Sequence, residues 1–240
     1  MRNIATTMFA RFAFIAVVLF ASGPVAGAGT TQTAVQAGGT TAALLLPAKP
    51  RASIILLIGG PGHVGVDADG NIGRGEGNQL ARTRAAYAAW GFAVLVPDAG
   101  YDLAALVAYM AAIKRPVAVA ATSRGTQRAA SGIAAGARPD RLILTSGFLS
   151  AQSGDGESVM DILGSPAALP PTLVIHHRED GCSKTSPAGV APFIAWAQGK
   201  ARVTWLSGGT SDGDPCQAEA HHGFAGIDGQ VVSAISGFVH

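Results

Sequence analysis

Ser123 is the residue whose surroundings point most clearly to chemistry. It stands in the sequence ATSRG at 121–125, between the apolar run at 117–121 and a stretch rich in small residues. A serine on a sharp turn from a buried strand into a helix projects its hydroxyl above the sheet, and such a turn needs small residues two positions before and after it. Ala121 and Gly125 meet that need. The pattern predicts a nucleophilic serine whose developing negative charge is favoured by the helix N-terminus.

A serine hydroxyl is a weak nucleophile at neutral pH, so it needs a general base that is held by a third group. The apolar run at 172–176 leads into Glu179 and Asp180, and His221 and His222 follow a later strand. Nucleophile, acid and base then occur in this order along the chain, each after a strand, which is one of the known serine-hydrolase orders. The residues alone leave two candidates for the acid and two for the base.

The elements that must position these side chains alternate between apolar strands and helices. Strands are predicted at 42–46, 53–58, 92–96, 117–121, 142–145, 172–176 and 202–206, and helices at 79–90, 103–113, 126–135, 192–198 and 229–238. Continuous apolar runs that alternate with helices predict a parallel sheet covered on both faces. The loop at 146–171 is too short and too rich in glycine and serine for a large lid domain.

The first 28 residues are predicted to be a secretory signal peptide. Arg2 and Arg11 supply positive charge, an apolar run follows at 12–21, and Ala26-Gly27-Ala28 gives a small-x-small cleavage pattern. The run is too short to cross a bilayer core of about 30 Å. We therefore expect export to the periplasm or the medium and cleavage after Ala28.

After the signal peptide we expect an N-terminal linker at 29–41 and one domain at 42–240. Two of the 17 basic residues lie in the predicted signal peptide and none of the 15 acidic ones do, so the remaining chain has a net charge of about zero. With no cluster of basic residues, neither nucleic acid nor a membrane surface is expected as a partner. The composition, 48% hydrophobic and 13% charged, excludes a disordered chain.

Cys182 and Cys216 are the two cysteines of the chain. An even pair of cysteines in an exported protein favours a disulfide. One of them follows the candidate acids and the other precedes the candidate histidines. A bridge between them would tie the two loops together and hold the imidazole against the carboxylate.

Four motifs together resemble the α/β-hydrolase superfamily, especially small bacterial serine esterases and dienelactone-hydrolase-like proteins. They are GGPG at 59–62, ATSRG at 121–125, HHRED at 176–180 and HHGF at 221–224. The resemblance covers about Leu44 to the C-terminus and implies the α/β-hydrolase fold, a mostly parallel sheet with helices on both faces. It implies hydrolysis of a small carboxylic ester or related acyl bond through an acyl-enzyme, without cofactor or metal. Dienelactone hydrolase proper uses a cysteine nucleophile, so its substrate is not implied for Ser123.

The same resemblance assigns roles to particular residues. The histidine of a His-Gly-Phe sequence is usually the base in these proteins, which selects His222 over His221. The acid ends a strand and sits in a tight loop, which favours Asp180 over Glu179. Ser123, His222 and Asp180 are thus the implied nucleophile, base and acid.

The implied oxyanion hole combines the backbone N–H of Arg124 with one N–H from the loop at 59–62. Proline has no N–H, so Gly60, Gly62 or His63 must donate, and the two glycines are preferred. Arg124 and His63 are also candidates for contacting the substrate, because a guanidinium can pair with a substrate carboxylate.

Two other functions compete with this interpretation. Six residues could supply zinc ligands if two loops met: His176, His177, Cys182, Cys216, His221 and His222. The chain contains neither an HExxH nor a CxxC spacing, and His176 alone is expected to be structural. The second alternative is a non-catalytic protein that uses the same fold to bind a ligand.

Overall fold

An eight-stranded sheet organises the part of the chain that the computed structural model describes, Met1 and residues 29–240. The strands are β1 (Thr30–Ala37), β2 (Thr40–Pro47), β3 (Ala52–Leu57), β4 (Phe92–Pro97), β5 (Val117–Thr122), β6 (Arg141–Thr145), β7 (Thr172–His177) and β8 (Ala201–Leu206). Their order across the sheet is β1-β2-β4-β3-β5-β6-β7-β8. The β1–β2 and β2–β4 pairs are antiparallel and the other pairs are parallel.

Helices cover both faces of this sheet. They are α1 (Gln79–Arg82), α2 (Arg84–Ala89), α3 (Leu103–Ile113), α4 (Arg124–Ala134), α5 (Val159–Leu163), α6 (Val190–Trp196) and α7 (Asp228–Val239). Buried residues of α3, α4, α5 and α6 belong to the core on one face, and those of α1, α2 and α7 to the core on the other. The predicted mostly parallel sheet with helices on both faces is confirmed.

The central strands are apolar along their whole length because each face of the sheet has its own core. In β3, Ile55 and Leu57 pack into one core, while Ile54 and Leu56 pack into the other. Burial of each such side chain contributes about 1.5–3 kcal/mol relative to an exposed one. In the sequence, a strand of this kind is therefore a continuous apolar run rather than an alternation of apolar and polar residues.

The predicted linker at 29–41 is wrong. Thr30–Ala37 forms β1, which pairs residue by residue with β2. Gly38 and Gly39 join the two strands with φ angles of 59° and 82°, the left-handed backbone that a tight hairpin turn requires. β1 lacks an apolar run because it is an edge strand, and most of its residues are exposed and polar. The folded unit begins at about Thr30.

Two further elements differ in detail from the prediction. The helix predicted at 79–90 is two helices, α1 and α2, which meet at Thr83, whose hydroxyl donates to the carbonyl of Gln79 at 2.7 Å. The stretch predicted as a loop at 146–171 contains the short helix α5 and two short 3-10 turns. It carries no large lid domain.

The predicted signal peptide, residues 1–28, lies outside the described residues apart from Met1. Among the helices of the described part, none combines the length and the apolar character needed to cross a membrane.

Candidate active site

Ser123 lies where β5 turns into α4, at the carboxyl end of the parallel strands. Its backbone angles, φ 51° and ψ −125°, are strained for a residue with a side chain. Hydrogen bonds hold this geometry: the Ser123 N–H donates to the Thr145 carbonyl at 3.1 Å, and the N–H and hydroxyl of Thr126 both donate to the Ser123 carbonyl. The strand–turn–helix context predicted for this serine is present.

The need for a small residue two positions after the serine has a visible cause. A methyl group added to Gly125 would clash with the carbonyl oxygens of Leu57 and Ile58. Any larger residue would push α4 away from the end of β3. Gly125 thus allows the close packing of helix on strand that the turn depends on.

His222 and Asp180 meet at the same edge of the sheet. His222 Nδ1 lies 3.1 Å from Asp180 Oδ2, and the two side chains are only 7% and 0% exposed. The other oxygen of Asp180 accepts a hydrogen bond from the Cys182 N–H at 2.9 Å. A carboxylate at this distance accepts the Nδ1 proton, which leaves the lone pair on Nε2 as the basic position.

Two residues that sequence reasoning missed also hold His222. The hydroxyl oxygen of Thr185 lies 3.0 Å from His222 Nδ1, and the buried hydroxyl of Ser146 donates to the His222 carbonyl at 2.9 Å. Neither residue belongs to a recognisable motif, because each acts on a histidine far away in sequence. No local signal could have identified them.

The competing acid and base, Glu179 and His221, contact each other instead. His221 Nδ1 lies 3.2 Å from the backbone carbonyl of Glu179, and the Glu179 N–H donates to His177 Nδ1 at 3.1 Å. The His221 ring stacks on that of His177, with 4.2 Å between ring centres and 15° between planes. The structure therefore pairs Asp180 with His222 and gives Glu179 and His221 a separate set of contacts.

His176 is fully buried near the end of β7, as expected for a structural histidine. Its Nε2 lies 3.0 Å from the Thr185 carbonyl and its Nδ1 lies 3.2 Å from the His177 carbonyl. Burial lowers the pKa of His176, and the nearby charge of Asp180 opposes that shift without reversing it.

A cavity of about 440 Å³ brings the predicted site residues together. Its lining includes Ser123, Arg124, His222, Gly60, Gly62 and His63. Asp180 lies behind His222 and is not part of the lining. Within residues 29–240, no hydrogen bond joins the Ser123 hydroxyl to the His222 ring.

The glycine loop, residues 59–62 after β3, lies directly against Ser123. A methyl group added to Gly59 would be 3.1 Å from Ser123 Cβ, whereas one added to Gly62 would be 3.0 Å from the guanidinium carbon of Arg128. In the described part of the chain, the N–H groups of Gly59, Gly60, Gly62 and Arg124 donate no hydrogen bond. They remain available to a ligand oxygen in the cavity. Sequence reasoning did not identify Arg128 as a neighbour of this loop.

The remaining candidates for substrate contact lie at the rim. Arg124 and His63 both line the cavity and both are exposed. His63 Nδ1 lies 3.4 Å from a carboxylate oxygen of Asp98. Asp98 also accepts the N–H of Val64 at 3.0 Å, so it anchors the loop that carries His63.

The predicted disulfide between Cys182 and Cys216 is confirmed, and it spans 34 positions of sequence. It joins the loop that carries Asp180 to the loop that carries His222. Both cysteines line the same cavity as Ser123.

The proposed zinc ligands do not form a site in this arrangement. Both cysteines are in the disulfide, so neither offers a thiolate. His177, Glu179 and His221 each place one potential ligand atom within 4.8 Å of the others. However, the nearly parallel rings of His177 and His221 direct their lone pairs side by side rather than toward one point. Both ring nitrogens of His177 are also engaged, with Glu179 and with the Gly208 carbonyl.

No protein-family model and no curated protein sequence matches this chain. Solved structures do match it in fold. An alpha-beta serine hydrolase homologue from Coxiella burnetii shares 14% identity at a TM-score of 0.58, covering 87% of this chain and 97% of that one. Carboxyl esterase 2 from Tuber melanosporum shares 15% identity at a TM-score of 0.54, covering 91% and 89%.

A third similar structure is the carboxylesterase Cest-2923 from Lactobacillus plantarum, with 12% identity, a TM-score of 0.55 and coverage of 88% and 99%. Likeness at such low identity concerns the backbone arrangement and not the side chains that act on a substrate. The comparisons therefore show that this chain has the α/β-hydrolase fold.

Proposed function

We propose that this chain is a serine hydrolase that cleaves a small carboxylic ester or a related acyl bond through Ser123, His222 and Asp180. The observation that carries the proposal is the 3.1 Å contact between His222 and Asp180 beside a serine held in a strained turn over the same cavity. Two of the structures with this fold are named as carboxyl esterases, which agrees with the proposal.

In the first half of the reaction, the Ser123 hydroxyl attacks the carbonyl carbon of the substrate. His222 Nε2 accepts the hydroxyl proton, and Asp180 stabilises the imidazolium that forms while fixing the ring through Nδ1. The low exposure of Asp180 and His222 makes this electrostatic interaction stronger than it would be in water. The protonated His222 then donates its Nε2 proton to the leaving alcohol as the acyl-enzyme forms.

The negative charge on the tetrahedral oxygen needs donors in the cavity. The N–H of Arg124 and one N–H from the glycine loop supply them, with Gly60 and Gly62 as the candidates in the loop. Removal of one such donor costs about 3–4 kcal/mol of transition-state stabilisation in serine hydrolases. In the second half, a water molecule attacks the acyl-enzyme with His222 again as the base, which restores the Ser123 hydroxyl.

The cavity favours a small substrate with a polar portion. Its volume of about 440 Å³ is at the lower end of the range for small-molecule sites. Arg124 and His63 contact the substrate at the rim in this proposal, with the Arg124 guanidinium able to pair with a substrate carboxylate. No step requires a cofactor.

We further propose that the protein is exported after cleavage of residues 1–28. The Cys182–Cys216 disulfide supports this, because such bonds persist in oxidising compartments.

Hydrolysis of p-nitrophenyl esters of increasing acyl length tests the proposed activity. We expect turnover of the shortest esters, and we expect Ser123→Ala to lower kcat by about 10⁶-fold or to the limit of the assay. Ser131→Ala is the matched control, since Ser131 lies on the same helix and its hydroxyl donates to the Gln127 carbonyl, outside the cavity. That control should retain full activity.

Two results would replace this proposal with one of its competitors. Hydrolysis that survives Ser123→Ala but disappears with a chelator would favour a metal-dependent reaction. Absence of turnover with every acyl ester, thioester and amide tested, together with saturable binding of such compounds, would favour a non-catalytic binding protein.

A further inference from the structure

Arg128 on α4 binds the glycine loop from the side opposite the cavity. Its Nη1 donates to the Gly60 carbonyl at 2.9 Å, and its Nη2 donates to the carbonyls of Ile58 and, at 3.5 Å, Gly59. One guanidinium thus binds the carbonyl oxygens of three consecutive residues. We propose that Arg128 is a positioning residue that directs the Gly60 N–H into the cavity as an oxyanion donor. The role as donor rests on the proposed function.

The direction of the Gly60 N–H follows from the geometry of the peptide unit. In a trans peptide, the carbonyl of one residue and the N–H of the next point in opposite directions. Because the Gly59 carbonyl points toward Arg128, the N–H of Gly60 points away from it. That N–H has no hydrogen-bond acceptor among the described residues.

Three consecutive carbonyls can point the same way only if the backbone leaves the extended conformation, in which they alternate. Between the Gly59 and Gly60 carbonyls, Gly60 provides this departure with a φ of 56°, a value that favours glycine. Pro61 follows and has no N–H of its own, so it does not compete as a donor. The Gly-Gly-Pro sequence and the contacts of Arg128 therefore favour the same conformation of the loop.

Arg128 acts from behind the loop and is not a substrate contact. The lining of the Ser123 cavity includes Gly59, Gly60 and Gly62 but not Arg128, which lines a separate cavity beside Tyr101. The guanidinium also lies against Gly62, where an added methyl group would be 3.0 Å from its carbon. Arg128 thus contacts the loop over its whole length, with the loop between it and the cavity.

Arginine suits this role better than lysine would. Its planar guanidinium offers several N–H donors in fixed directions, whereas the lysine ammonium is one compact charge on a flexible side chain. The positive charge behind the carbonyls also polarises the peptide units, which strengthens their N–H groups as donors. Arg128 follows Ser123 by five residues on the same chain segment, so α4 links the position of the nucleophile to that of the loop.

The test compares Arg128→Met and Arg128→Lys with the wild type, with Arg138→Met as the matched control. Arg138 also donates to two backbone carbonyls, those of Ile133 and Ala137, but it lies away from the Ser123 cavity. We expect Arg128→Met to lower kcat by about 10- to 100-fold with little change in KM. Its affinity for a trifluoromethyl ketone, which forms a tetrahedral adduct, should fall in parallel. The kcat of Arg128→Lys should lie between those of Arg128→Met and the wild type. The kcat of Arg138→Met should match that of the wild type.

The NMR order parameters of the Gly59, Gly60 and Gly62 N–H groups give a readout that does not depend on activity. They should be lower in Arg128→Met than in the wild type, because the loop loses its contacts to the guanidinium, and unchanged in Arg138→Met. If Arg128→Met does not fold, Arg128→Lys carries the same comparison. Unchanged order parameters, or a kcat within twofold of the wild type in a hydrolytically active protein, would overturn the proposal. A wild type without hydrolytic activity would contradict the proposed function and the donor role, while the order parameters would still decide whether Arg128 positions the loop.

Discussion

The ring of His222 is held at Nδ1 by two buried oxygens, Asp180 Oδ2 at 3.1 Å and Thr185 Oγ1 at 3.0 Å, and of these the carboxylate is the charged one. The Asp180 carboxylate is fully buried, so its charge is not screened by water. Its position after β7 places it opposite a histidine that comes 42 residues later. This contact makes Nε2 the free nitrogen of His222.

Asp180→Asn tests the role of the carboxylate. Asparagine keeps the oxygen that accepts the Cys182 N–H, so the loop should stay folded, but it can present an N–H to the ring and favour the wrong tautomer. We expect kcat to fall by about 10⁴-fold, as for the same change in other serine triads. Glu179→Gln is the control and should retain activity. Comparable losses in both variants would contradict the assignment of Asp180 as the acid.

Thr185→Val tests the second contact of the ring. Valine has nearly the shape of threonine but lacks the hydroxyl, so His222 would lose one hydrogen-bond partner at Nδ1. Such a bond is worth about 0.5–1.5 kcal/mol, so kcat/KM should fall by about 2- to 10-fold. Thr185→Ser keeps the hydroxyl and should restore most of the rate. Equal rates for Thr185→Val and the wild type would show that the hydroxyl does not orient the ring.

Reduction of the Cys182–Cys216 disulfide should affect activity more than secondary structure, because the bond joins the loops that carry Asp180 and His222 rather than core elements. In the chain-entropy model, closing a loop across 34 positions stabilises the fold by about 3–4 kcal/mol. Ester hydrolysis and far-ultraviolet circular dichroism with and without reductant measure the two effects. A double Cys→Ala variant should not respond to reductant. Parallel loss of rate and dichroism would contradict this expectation.

The buried His176 should make stability depend on pH. Its pKa is lowered by burial, so as the pH falls through about 6.5 the unfolded chain binds a proton there more readily than the folded chain. The free energy of unfolding should therefore decrease as the pH falls through this range, by at most about 1.4 kcal/mol per pH unit from this group. Well above pH 6.5 the group is neutral in both states and adds no dependence.

Urea denaturation of the wild type and His176→Gln between pH 5 and 8 measures this effect. As the pH falls below 7, the free energy of unfolding should decrease more steeply for the wild type than for the variant. Above pH 7 the two curves of unfolding free energy against pH should be parallel. Parallel curves over the whole range would mean that His176 takes up its proton equally in both states.

Most of the fold could be predicted because its central strands are buried on both faces. Runs such as 53–58 and 117–121 are apolar throughout, and α3, α4 and α7, with 11 or 12 residues each, are long enough to be recognised from the sequence. The edge strand β1 could not be predicted in this way, because solvent covers most of it and its residues are polar. Its hairpin turn at Gly38 and Gly39 was the signal that could have identified it. The five-residue helix α5 was missed because it is too short to show a period.

The side chains that meet around the cavity could be predicted in part for a similar reason. The sequence around Ser123 carries its own steric requirement, visible in the small residues on each side, and Asp180 and His222 each follow a predicted strand. Arg128 and Thr185 carry no such local pattern. Arg128 contacts carbonyls 68 to 70 residues away, and Thr185 contacts a histidine 37 residues away. Contacts of this kind depend on how the strands are ordered in the sheet, which no short segment of sequence records.

Labelling with a fluorophosphonate probe tests the central claim most directly, because the probe reports an activated serine whatever the natural substrate is. We expect a covalent adduct on the peptide that contains Ser123 in the wild type and in His221→Ala. Ser123→Ala and His222→Ala should form none under the same conditions. An unlabelled wild type, or labelling that is independent of position 222, would contradict the account.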